Sequence, residues 1–148
     1  MAKSYYSAVF DYTADEVWNV IRPFDQYAWT GVKAETVIEE GKAGDQVAAI
    51  RRITLPDKII RQILLEHSDL ERSYTYALCD PPYLPVWNYI ATIRVTPVTE
   101  TGQAFIEWSA TFDCASDEYD RWTNYFEKDG FAKWLGALRR YIQSGERG

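Results

Sequence analysis

Apolar and polar residues alternate with a period of two along residues 103–114. Ala104, Ile106, Trp108, Ala110 and Phe112 fall on one side, and Phe105, Glu107, Ser109, Thr111 and Asp113 on the other. That period belongs to a half-buried antiparallel strand. Comparable runs cover 3–12, 32–40, 46–55, 59–67, 72–79 and 86–98, so seven strands are expected. Between them lie turn signals: the Gly-rich Gly41-Lys42-Ala43-Gly44-Asp45, Pro56-Asp57-Lys58, Ser68-Asp69-Leu70-Glu71 and Thr99-Glu100-Thr101-Gly102. Such regular hairpin punctuation predicts an antiparallel meander. The loop 80–85 carries three prolines, which preset its backbone and lower the entropy cost of holding one shape.

Two segments carry the helical period instead. Thr13-Ala14-Asp15-Glu16 matches a capping box. Val17, Trp18, Val20 and Ile21 follow as a buried stripe, and Pro23 stops the helix. Residues 24–29 read as a turn or a second small helix. A long segment over 117–144 has Trp122, Phe126, Phe131, Trp134, Leu135, Leu138 and Ile142 on its apolar side. Ser116 is the expected N-cap, with Asp117 and Glu118 in the first turn where the macrodipole favours acids. The step from Phe126 to Phe131 is five residues rather than three or four, and Asp129-Gly130 lies inside it. A kink or local bulge is predicted there. A sheet covered by one long helix is a two-layer α+β fold with room for a cavity between the layers.

Composition narrows the function classes. A chain of 148 residues fits one domain, 1–148, with a real core. Its net charge of −6 argues against nucleic acid, which needs a basic patch or stripe. The 11 Tyr and 6 Trp must line a core, a pocket or an interface. No apolar run reaches the roughly 18 residues of a membrane span, and the first residues lack the apolar region of a signal peptide. Cys79 and Cys114 fall two strands apart, about 9–10 Å at ordinary strand spacing. A disulfide wants Cα atoms within about 7 Å, so free thiols, a reducing compartment and a cytoplasmic location are expected. One His and two distant Cys give no metal-ligand spacing. Gly41-Lys42-Ala43-Gly44 is a hairpin rather than a phosphate loop. Neither a metal nor a cofactor is expected.

Four stretches carry a family likeness: Thr13-Ala14-Asp15-Glu16-Val17-Trp18 after the first strand, Glu40-Gly41 with Gly44-Asp45 in the hairpin, Asn88-Tyr89 opening the sixth strand, and Trp108-Ser109-Ala110-Thr111-Phe112-Asp113 on the seventh. In this order and spacing the chain resembles the helix-grip (SRPBCC) superfamily. That group includes START-like lipid-transfer domains, the birch-pollen allergen family, plant abscisic-acid receptors and bacterial polyketide cyclase/dehydrase-like proteins. The bacterial branch is the nearest likeness. Pro56-Asp57-Lys58 departs from that branch's usual Asp-Gly turn and alters the rim. The resemblance implies a curved seven-stranded antiparallel sheet wrapped around the C-terminal helix, in the order strand, two helices, six strands, helix.

Alternation and likeness together assign the inward positions. They are Gln62, Leu64 and Glu66 on the fourth strand, Tyr74, Tyr76 and Leu78 on the fifth, Tyr89, Ala91, Ile93 and Val95 on the sixth, and Trp108, Ala110 and Phe112 on the seventh. Ala91 and Ala110 beside large rings suggest room for a ligand. The likeness implies ligand contacts at Gln62, Tyr89 and Trp108. Hormone receptors carry acids at the first and last of these positions, and this chain does not. Tyr89 can donate or accept a hydrogen bond in an apolar pocket, or simply bond a backbone carbonyl. Glu66, if inward and desolvated, would be a base with a raised pKa. Of Arg51 and Arg52, one faces in, where it pairs with Glu66, clamps a ligand carboxylate or, as the favoured reading, makes an ordinary ion pair across the sheet. His67 alternates outward. Trp122 and Phe126 join the core or a pocket wall; exposed Tyr119 and Tyr125 serve the pocket mouth or a homodimer contact.

Three functions fit these residues. One is binding of a small hydrophobic or aromatic molecule of lipid, polyketide or isoprenoid type. A second is a polyketide cyclase/dehydrase-like enzyme using Glu66 or Tyr89 for proton transfer. The third is a protein-interaction module with a filled interior.

Overall fold

The computed structural model describes residues 1–145. The strands are β1 (Ala2–Phe10), β2 (Glu35–Ile38), β3 (Ile50–Thr54), β4 (Ile59–Ser68), β5 (Ser73–Leu78), β6 (Trp87–Pro97) and β7 (Ala104–Asp113). They form one sheet in the order β1-β7-β6-β5-β4-β3-β2. Against it lie α1 (Ala14–Ile21), α2 (Tyr119–Asn124), a π-helical segment (Tyr125–Ala132) and α3 (Lys133–Ser144). This is the helix-grip α+β fold.

Local chemistry explains the elements. The Thr13 hydroxyl accepts from the Glu16 amide at 3.1 Å, and the Glu16 carboxylate accepts from the Thr13 amide at 3.2 Å. This reciprocal pair starts α1, which buries Ala14, Val17, Trp18, Val20 and Ile21. In β7, buried and half-buried residues alternate without a break from Ala104 to Asp113. The register carries that alternation across the sheet, where Ser4, Ala110, Ala91, Tyr76 and Leu64 form one inward row. All five are 2% exposed or less. Three of them are small, so the helical layer comes close: Ser4 Oγ donates to the Thr123 carbonyl at 2.9 Å.

The five-residue step becomes a π-helical stretch of eight residues. In i→i+5 winding, residues five apart return to the same face. Phe126 and Phe131 therefore both point into the sheet, each fully buried, with ring centres 6.3 Å apart. Ser116 is not the helix cap. It sits inside a tight turn, Ser116–Glu118, and no side chain caps α2. The hydroxyl is wound into the turn instead of standing before the first α-helical amides.

β2 and β3 are shorter than their patterns, and 39–49 is irregular rather than a tight hairpin. The backbone turns left-handed at Glu40, Gly41 and Ala48. The loop is also pulled toward the end of α1: Arg22 holds Asp45 at 3.0 Å, and the Phe24 amide donates to the Gly44 carbonyl at 3.1 Å. Those ties compete with extension of the ladder. Between α1 and β2, a short turn at Ala28–Thr30 ends at Gly31 with φ +83°, where a Cβ would stand 3.2 Å from Ala137 Cβ. The connector thus docks tightly on α3. Both cysteines are free thiols. No helix among the described residues is long and apolar enough to cross a membrane.

Candidate ligand-binding site

β3 sends Arg51 inward and Arg52 outward. Arg51 is 1% exposed. Its Nε donates to Gln62 Oε1 at 2.6 Å, and its Nη1 to the Phe24 carbonyl at 3.2 Å. The guanidinium carbon stands 4.1 Å from the ring centre of Phe24, 4.9 Å from Tyr27, 5.1 Å from Tyr76 and 5.9 Å from Tyr74. Desolvated cation–π contacts of this kind hold a positive charge in an apolar interior. Neither a pairing with Glu66 nor an ordinary ion pair across the sheet forms at Arg51 among the described residues. Ordinary ion pairs sit on the outer face instead, where Arg61 binds Glu39 at 2.8 Å.

Glu66 is exposed because β4 contains a bulge between Leu64 and Glu66. One extra residue, Leu65, shifts the phase. Glu66 then pairs with outward Thr75, and His67 pairs with inward Tyr74. His67, expected in solvent, has a side chain only 7% exposed. It packs 5.5 Å from Trp18 and reaches Asp69 at 3.2 Å. The Arg22 guanidinium holds the Asp69 carboxyl well below the usual range.

A run of phenols leads from Arg51 toward the last helix. Tyr76 Oη accepts from Trp108 Nε1 at 3.3 Å. Tyr76 lies 6.3 Å from Tyr89, and Tyr89 lies 5.0 Å from Phe126. Burial pushes the Tyr76, Tyr83 and Tyr89 hydroxyls above the ordinary tyrosine range; Arg51 opposes the rise at Tyr76, and neighbouring phenols add to it at all three. These groups are donors that hold their protons, not bases. The folded state keeps protons that the unfolded chain would release above about pH 10. Their contribution to stability is complete below that pH and is lost as pH climbs through the raised folded values. The urea midpoint is accordingly expected to stay level to about pH 9 and fall beyond about pH 10. Phenolate absorbance should rise in step with loss of the circular dichroism signal. Phenolates of all three appearing in a protein that is still folded would contradict the burial.

On the helix side, Phe126 meets Phe112 at 5.0 Å, and Phe131 stacks on Trp108 at 5.0 Å. Outside Phe126 lies a surface pocket of about 350 Å³ bordered by Leu84, Trp122, Tyr125 and Asp129. Tyr125 touches Phe126 with ring centres 5.3 Å apart, so one ring separates the pocket from Tyr89. Trp122 Nε1 is buried without a hydrogen-bond partner among the described residues.

Gln62, Leu64, Tyr74, Tyr76, Tyr89, Ala91, Trp108, Ala110, Phe112, Trp122 and Phe126 all lie in the interior, each 5% exposed or less. Tyr119 and Tyr125 are half-buried against this core rather than exposed. Sequence reasoning missed Phe24, Tyr27 and Trp29 in the connector after α1, and Tyr83 and Leu84 in the proline loop. Aromatics at 24, 27 and 29 were the available signal, but a connector has no period to show which way they point.

XoxI from Bacillus cereus is 27% identical over the whole of both chains and superposes with a TM-score of 0.82. A protein from Thermobifida fusca is 26% identical, with 97% of this chain and 95% of that one covered and a TM-score of 0.82. Norcoclaurine synthase from Thalictrum flavum, solved with dopamine and hydroxybenzaldehyde, shares the fold at 16% identity, with 96% and 86% covered and a TM-score of 0.74. No curated protein matches in sequence. The sheet that grips a helix through facing aromatic rows is matched across residues 1–143 by the model of one family. The chain belongs to the polyketide cyclase / dehydrase and lipid transport family.

Proposed function

We propose that this protein binds a small apolar or aromatic molecule between the sheet and the last helix, entering beside Leu84, Trp122 and Tyr125. The observation that carries this reading is the aromatic path from the surface pocket through Phe126 and Tyr89 to Tyr76 and Arg51. Ligand pockets begin at about 300 Å³ and are mostly apolar with a few polar groups, and a pocket of about 350 Å³ beside buried phenols has that character. The family description and the aromatic ligands of norcoclaurine synthase are consistent with it.

Magnitudes say what else is needed. Burying about 200 Å² of a flat aromatic at about 25 cal/mol per Å² contributes about 5 kcal/mol before association costs. On its own that supports no better than roughly millimolar to sub-millimolar binding. A micromolar complex needs polar anchors, and Tyr89, Gln62 and the Trp122 indole N–H are suited to the role.

The test uses N-phenyl-1-naphthylamine, a neutral fluorescent probe. It should bind the native protein with enhanced emission. Leu84→Glu places a charge at the half-buried mouth and should weaken that binding tenfold or more with little change in melting temperature. Absence of probe binding, or unchanged binding in Leu84→Glu, refutes this site. The enzyme reading loses its carboxylate, since Glu66 lies outside the interior, and no other observation favours it over binding.

A further inference from the structure

We infer that Arg51 receives the anionic head of the bound molecule, so that the ligand is an apolar or aromatic body ending in a carboxylate or phosphate ester. This rests on the binding function proposed above and names the chemistry of its ligand.

Among the described residues, Arg51 carries the only formal charge in the ring-lined interior around it. Its neighbours are the faces of Phe24, Tyr27, Tyr74 and Tyr76 and the neutral amide of Gln62. No Asp or Glu lies within 4.0 Å of its guanidinium among the described residues, although eight other charged pairs form among them. A guanidinium has five N–H donors. Arg51 uses one on Gln62 and one on the Phe24 carbonyl. A buried charge left without a counter-ion is costly, and ring faces and single carbonyls offset only part of it.

The missing partner has a definite shape. The planar fork of arginine fits the two oxygens of a carboxylate, or two of a phosphate, by parallel hydrogen bonds. Phenols stand beside it to complete the set. The Tyr27 ring centre lies 4.9 Å from the guanidinium. The Tyr74 hydroxyl is buried and unpartnered among the described residues. From this point the phenol run through Tyr76 and Tyr89 leads to Phe126, along which an apolar body would lie. Position 62 sharpens the argument. A Glu there would be nearly isosteric with Gln and would neutralise Arg51 in place. The chain instead has an amide, which orients the guanidinium and leaves its charge available.

Two sets of probes test this by calorimetry: 2-naphthoate, 2-naphthyl phosphate and 2-naphthamide; and decanoate, decyl phosphate and decanamide. In the native chain at least one anion should bind tenfold or more tighter than the matching amide. The preferred anion then distinguishes a free carboxylic acid from a phosphate ester. Arg51→Met should abolish the preference and keep the affinity for the amide. Gln62→Glu keeps Arg51 in place and supplies an internal counter-ion. It should raise the melting temperature and cancel the preference as well, which covers the case in which Arg51→Met does not fold. Amides binding as tightly as anions would overturn the assignment to Arg51 while sparing the binding function. A preference that survives Gln62→Glu would overturn it too. If no probe of either set binds, both fall.

Discussion

Deleting Lys128 should leave a folded protein, with a melting temperature no lower than that of the parent chain, that has lost its ligand. The π segment holds one residue more than an α-helix would need between Phe126 and Phe131. Lys128 is exposed, so its removal buries and unburies nothing. After the deletion the two phenylalanines are four apart, and four residues of α-helix return to nearly the same face. Trp134, Leu135, Leu138 and Ile142 keep their direction, because their spacing from Phe131 is unchanged. What changes is the widened turn itself. Lys128 and Asp129 border the surface pocket with Trp122 and Tyr125. π bulges concentrate at functional sites although they wind less favourably than α-helix. The shortened chain should therefore melt at the same temperature or higher while affinity for N-phenyl-1-naphthylamine falls tenfold or more. An unfolded deletion mutant would show that the extra residue is structural. Unchanged probe binding would show that the π turn does not shape the mouth.

Trp108→Ala should have the largest effect on stability, a loss of about 3–5 kcal/mol. Trp108 is 2% exposed and touches three rings, with centres at 5.0 Å for Phe131, 5.3 Å for Trp134 and 5.7 Å for Trp29. It joins β7 to both the connector and the last helix. Its indole N–H is also the donor to Tyr76 Oη at 3.3 Å, so truncation removes a partner from a buried hydroxyl. A domain of ordinary stability has about 5–15 kcal/mol in all, and the loss would lower the melting temperature by roughly 10 °C or more. Urea unfolding should show a lower midpoint with an unchanged slope. Trp108→Phe keeps ring packing and should recover more than half. A loss under about 1.5 kcal/mol in Trp108→Ala would mean that the interior collapses around the gap.

The fold was legible where one residue type dictates its own direction. β7 alternates throughout, the Thr13–Glu16 box caps as its spacing requires, and the five-residue step between Phe126 and Phe131 announced the irregular winding. The site was legible as a set of strand positions and failed where direction depends on a partner strand. Leu64 and Leu65 are both leucine, so nothing in the local sequence says which of them turns in. Only the pairing with Tyr76 and Thr75 decides it. Glu66 was placed inside for that reason, and His67 outside. Arg51 was narrowed to one of two adjacent arginines, but its ring environment comes from Phe24 and Tyr27, in a connector without periodicity. Tyr83 and Leu84 were hidden in the same way, in a loop whose prolines fix shape without revealing what it faces.

The bulge in β4 has a consequence for how the gene can change length. Most of the sheet is a ladder in which losing one codon would exchange the two faces of everything downstream in that strand. Leu65 is one exception, and the shift between Trp87 and Ile90 in β6 is another. Taking out Leu65 restores regular pairing, with Glu66 still opposite Thr75 and His67 still opposite Tyr74. Single-codon indels between relatives are thus channelled to such places, and a gap at Leu65 in an alignment would mark two chains whose interiors superpose residue for residue on either side of it.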